Sequence, residues 1–162
     1  MKKILIILII ILFCSGCNNN NNKTFETTNT NYNDNYNTYY GYLIIPKINM
    51  KLGFYNTSNK LNDVSKNIQL IPTGIKNTYL FAAHSGVGTI AYFNDLMFLK
   101  KNDEITLQFK NSINRYKVIE IKKERKTGKI NIPNKQNLII LTTCDQIQKG
   151  YQLIVIASLI KQ

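Results

Sequence analysis

One imidazole and one thiol are all that the body of this chain offers for nucleophilic chemistry. The 162-residue sequence holds a single histidine, His84, and three cysteines. Cys14 and Cys17 fall in an apolar N-terminal stretch, and Cys144 stands alone beyond it. A thiolate attacks carbonyl carbon, and a nearby imidazole can favour that thiolate or protonate a leaving amine. His84 closes the apolar run 78–83 and is followed by Ser85-Gly86-Val87-Gly88. Cys144 closes the run 138–143 and opens a polar stretch reaching Gly150. Each therefore sits where a buried strand meets a loop, the position from which a rigid scaffold presents reactive groups. Each also has a plainer role open to it: a satisfied strand-end histidine, and a buried apolar thiol. Matching settings for the two favour the catalytic pairing.

The same inventory excludes other chemistries. Structural zinc needs four His or Cys ligands and catalytic zinc about three, which one His and one Cys cannot supply, so neither a metal nor a cofactor is expected. There is no phosphate-cradling Gly-rich loop and no Gly-x-Ser-x-Gly elbow. Ser85 adjoins His84 and is poorly placed to be its nucleophile.

Short β-type runs must position the pair. Tyr42 to Ile45 and Ile48 to Leu52 read as strands separated by Pro46. Further strands are expected over 78–83, 104–109, 115–121, 138–142 and 153–159. Alternation in 115–121 is strict as far as Val118 and looser at Ile119 and Ile121. Residues 91–99 carry apolar positions at helical spacing, and 62–67 is polar and weakly helical. The reading is a mainly-β domain: a closed β-barrel of about eight strands with one or two short helices.

Residues 1–17 read as an export signal: Lys2 and Lys3, then an apolar run to Phe13, then Cys14-Ser15-Gly16-Cys17. The ending resembles a bacterial lipobox, which makes Cys17 the candidate lipidation site. An uncleaved membrane anchor is the alternative. Either places the domain on the extracellular face of the cell membrane. Residues 18–41 are almost wholly Asn, Thr and Tyr, have no aliphatic residue to build a core, and read as a disordered tether. Residues 42–162 form the expected domain. With Cys14 and Cys17 in the leader, an exported Cys144 has no internal disulfide partner. The net charge of +12 invites a nucleic-acid reading. However, the lysines are scattered and Arg115 and Arg125 are the only arginines. A basic exported domain suits an anionic wall or membrane surface better, and no nucleic-acid partner is expected.

Four segments carry a family resemblance. Tyr79-Leu-Phe-Ala-Ala-His84-Ser-Gly resembles the histidine motif of sortases, and Leu138-Ile-Ile-Leu-Thr-Thr-Cys144 resembles their cysteine motif. Leu43-Ile-Ile-Pro46-Lys-Ile is similar to their first strand, and 91–105 to a helix and the strand after it. The resemblance spans roughly 42–160, in order. It implies a cysteine transpeptidase that cleaves a sorting motif near the C-terminus of secreted proteins. The acyl group then passes to an amine of a peptidoglycan precursor or a pilin. Cys144 would be the nucleophile and His84 the acid–base, with Thr143 and Ser85 lining the substrate site. The family usually places an arginine on the strand after the cysteine, and here Gln152 holds that position. Gln152 could serve as a neutral donor, or Lys149, Arg115 or Arg125 could supply the charge. The alternative is a weak or inactive sortase-like lipoprotein acting as a peptide-binding module. The catalytic reading requires His84 and Cys144 at adjacent strand ends, with Gln152 facing the same groove.

Overall fold

In this computed structural model, residues 38–109 and 111–160 are described. The expected export signal, Cys17 and most of the tether lie outside them.

Eight strands form one sheet: β1 (Gly41–Ile45), β2 (Met50–Phe54), β3 (Gln69–Ile71), β4 (Tyr79–Ala82), β5 (Glu104–Phe109), β6 (Ser112–Arg125), β7 (Leu138–Cys144) and β8 (Tyr151–Leu159). They are ordered β2-β1-β5-β6-β8-β7-β4-β3. The sheet curls into a nearly closed, mainly-β barrel. The two ends of the sheet approach through packing: the Phe54 ring of the end strand β2 lies 4.9 Å from Phe81 of β4, the neighbour of the other end strand. Just before β3, Asn67 donates its side-chain N–H to the carbonyl of Gly53 on β2 (3.0 Å).

Alternation along the strands decides what faces the lumen. Leu43 and Ile45, Ile105 and Leu107, Tyr116 and Val118, Ile139 and Leu141, and Leu153, Val155 and Ala157 are buried together inside. Burial pushes the Tyr116 hydroxyl up to about 12. β7 and β8 are buried on their other face too. Leu80, Leu138, Ile140, Ile154 and Ile156 form a second cluster, with Ile130 and Ile132 of the β6–β7 loop packed against it. Strands covered on both sides read as continuous apolar runs, as 138–141 and 153–157 do.

Four local features differ from the sequence reading. β6 extends to Arg125, beyond the expected end at Ile121, with a register shift between Val118 and Glu120 in its pairing to β8. The loosened alternation at Ile119 is this bulge. The helix expected over 91–99 is a short 3-10 helix, Asn94–Phe98. β3 is only three residues long, too short for a periodic signal. Order also begins ahead of Tyr42: Gly41 opens β1, and Tyr40 donates its backbone N–H to the carbonyl of Phe54 (2.8 Å).

Candidate functional site

β4 and β7 run parallel, with Tyr79 opposite Ile139 and Ala82 opposite Thr142. The alignment continues past the end of β4, where Ala83 donates its N–H to the carbonyl of Thr142 (3.3 Å). The constant offset brings His84 level with Cys144. Both follow the alternation of Leu80, Leu138 and Ile140, so both lie on the outer face of the barrel. β8 is antiparallel to β7 and places Gln152 directly opposite Cys144. Three residues far apart in sequence thus meet at one end of the sheet. His84, Cys144, Gln152, Thr142, Ala82 and Val64 line a groove of about 230 Å³ there. Asp63 turns the chain that presents Val64. Its carboxylate accepts the backbone N–H of Ser65 (2.8 Å), which lowers its proton affinity below the usual carboxylate range.

The strand ends are fastened by side chains. Ser85 donates its hydroxyl to the carbonyl of Cys144 (2.6 Å), and Thr143 donates its own to the carbonyl of Ala83 (2.8 Å). Both hydroxyls thus tie β4 to β7 at the level of the pair. Thr143 also lines the groove, while Ser85 does not, and both hydroxyls are engaged with backbone partners. Gln152 is buried, and its amide N–H donates to the carbonyl of Lys129 in the β6–β7 loop (3.2 Å). It faces the groove as expected, but one of its two N–H donors secures that loop.

Asp145, next to Cys144, shapes the β7–β8 loop. Its carboxylate accepts the N–H of Ile147 (2.9 Å) and lies 2.7 Å from the Lys123 ammonium. The lysine first, and the backbone N–H second, hold its carboxyl below the ordinary range. Gly150 closes the loop at φ +83°, a conformation natural to glycine. A second, largely apolar cavity of about 150 Å³ opens at the barrel mouth on the other side of Cys144, lined by Phe93, Met97, Ile121, Ile147 and Leu153.

A further cation lies at the sulfur. The Lys126 ammonium is 3.3 Å from Cys144 Sγ. Of the residues expected to supply charge, Arg115 is paired with Thr106 near the far end of β6. Arg125 lies over the Tyr151 ring at 5.8 Å. Lys126 had no distinguishing mark in the sequence, where it is one of several basic residues between 122 and 129. A longer β6 would have pointed to it, because each further pair of residues on that strand returns a side chain to the outer face.

Residues 43–160 match the Sortase domain family. The chain belongs to the sortase family. No curated protein matches it. Among solved structures it resembles sortase C of Streptococcus pneumoniae at 23% identity and a TM-score of 0.62, over 75% of this chain and 68% of that one. It resembles pilus island 1 sortase C2 of Group B Streptococcus at 24% and 0.61, over 75% and 73%. Sortase C-1 of Actinomyces oris follows at 19% and 0.61, over 75% and 74%. The sortase chain spans roughly 70% of each of these proteins, with the same barrel.

Proposed function

We propose that this sortase is a cysteine transpeptidase acting on exported proteins that carry a sorting motif. The observation that carries the reading is the parallel register of β4 and β7, which sets His84 beside Cys144 on the outer face of a groove. In the first half-reaction the Cys144 sulfur bonds to the scissile carbonyl carbon, and negative charge moves to the carbonyl oxygen. The intermediate collapses as the C–N bond breaks, and protonated His84 gives its proton to the leaving amine. A thioester remains on Cys144. An acceptor amine then attacks the same carbon, neutral His84 takes its proton, and the C–S bond breaks to return the thiolate. Positioning and charge stabilisation do most of this work, so rigid strand ends suit it.

The acceptor is an amine on a pilin or a peptidoglycan precursor. The pilin choice is supported by the sortase C proteins whose barrel this chain shares, among them the pilus island sortase of Group B Streptococcus. Incubation with sorting-motif peptides and an amine should give a mass adduct on Cys144 and a new amide product. No adduct with any peptide of a sorting-motif library would reject the reading in favour of a binding module, the role that a Gln at position 152 would fit.

We place the enzyme on the outer face of the membrane, held by lipid on Cys17. Fatty-acid labelling of the expressed full chain should mark it and be lost in Cys17→Ser. Retained membrane association without label would instead indicate an uncleaved anchor.

A further inference from the structure

The site has its nucleophile and acid–base, and Gln152 puts a neutral amide where the family resemblance leads one to expect a cation. The outer face near the nucleophile is nevertheless not without charge. Glu124 on β6, Gln152 on β8 and Cys144 on β7 form one row across three neighbouring strands. Lys126 lies two residues past Glu124, so it returns to that same face. Its backbone N–H donates to the carbonyl of Gly150 (2.8 Å), which carries the β6–β8 pairing one step beyond the strand and fixes the stem of the side chain. The ammonium ends 3.3 Å from Cys144 Sγ.

Neighbouring carboxylates do not compete for it. Glu124 is paired with Lys122 and Asp145 with Lys123, each at 2.7 Å. Among the described residues, Lys126 is in neither ion pair, and its side chain is directed at sulfur. A lysine at this distance favours the charged form of a thiol through a charge-assisted hydrogen bond.

We propose that Lys126 is the cation of this active site. Its ammonium pairs with the Cys144 sulfur when that is ionised and stays beside the carbonyl oxygen as charge moves there during attack. The charge that the family draws from the strand after the cysteine is here delivered from the end of β6. The role in attack rests on the transpeptidase reading, whereas the ammonium–thiolate pair can be tested without any substrate.

The test is the rate at which iodoacetamide, a neutral reagent, alkylates Cys144 of the full chain at neutral pH, read on the Cys144 peptide by mass spectrometry so that Cys14 and Cys17 do not count. Lys126→Met should slow alkylation roughly twofold to fivefold at low salt, the effect of losing one partly solvated ion pair. Lys126→Arg should restore most of the rate. The gap between wild type and Lys126→Met should narrow in 1 M NaCl, where the Debye length falls to about 3 Å. Lys117→Met, which removes a charge from the distant part of β6, controls for net charge. Lys126 is exposed, so both variants are expected to fold, and circular dichroism checks it. Equal alkylation by wild type and Lys126→Met at low salt would overturn the proposal, as would failure of Lys126→Arg to restore the rate. The two readings fail separately. If wild type forms no acyl-enzyme while Lys126→Met still slows alkylation, the transpeptidase reading falls and the ion pair stands. If wild type transpeptidates while alkylation is indifferent to Lys126, the ion pair falls alone.

Discussion

Cys144→Ala should abolish transpeptidation, lowering kcat by a factor on the order of 10⁴ or more. The size follows from the chemistry. Without the sulfur no thioester forms, and the pathway that divides one difficult exchange into two easier ones is closed. His84 and the groove remain, so peptide binding should persist. Truncating one half-buried side chain at the end of β7 should leave the barrel intact, because the residues that fasten this end, Ser85 and Thr143, bond through the backbone carbonyls of Cys144 and Ala83. The measurement is product formation by mass spectrometry beside a binding titration with the same peptide. Turnover by Cys144→Ala within tenfold of wild type would show that the reacting group lies elsewhere. Loss of binding and of the thermal unfolding transition together would show that the cysteine is structural.

How much of this arrangement the sequence reveals depends on how local its cause is. The end settings of His84 and Cys144 are legible because each follows an apolar run. A strand covered on both faces must be apolar throughout, and β7 is covered by the lumen core on one side and by Ile130 and Ile132 on the other. What brings the two ends together is not local. Two strands with reactive residues at their C-terminal ends share an edge of the sheet only if they are parallel neighbours. Every other pairing in this sheet is antiparallel and would have sent the residues to opposite ends. The motif resemblance supplies that pairing where periodicity is silent.

β6 illustrates the converse. Its second half, 120–125, carries five charged residues in six and gives no hydrophobic alternation to read. It is a strand because β8 needs a partner along its full length, a tertiary demand that overrides local propensity. Missing those residues hides Lys126, whose side of the sheet is known only once the bulge after Val118 has shifted the count by one. The hydroxyls of Ser85 and Thr143 show the same limit from another side. Their adjacency to His84 and Cys144 is visible in the sequence. That they tie strands together depends on a chain crossing 59 or 60 residues away.

Replacing His84 by Gln should lower kcat for an amide substrate by about 10²–10⁴, the usual contribution of a positioned proton donor. The amine leaving from a peptide bond is a poor leaving group until it is protonated, and His84 is the only imidazole in the chain. Lys126 cannot take over the whole proton cycle, because an ammonium has no acceptor to receive the proton of the incoming amine. The loss should therefore depend on the substrate. With an activated thioester or ester, whose leaving group departs without a proton, the acylation rate of His84→Gln should approach that of wild type. Aminolysis should remain slow, since the acceptor amine still has to lose a proton. The imidazole is exposed at the end of β4, and only its backbone carbonyl is engaged there, accepting the N–H of Phe93 (3.0 Å). The substitution should leave thermal stability nearly unchanged. Single-turnover acylation measured with both substrates separates the cases. Equal losses on amide and activated ester would mean that His84 positions the sulfur and does not donate the proton. A selective loss on the amide identifies the side chain that moves the proton, which the strand register alone places but does not assign.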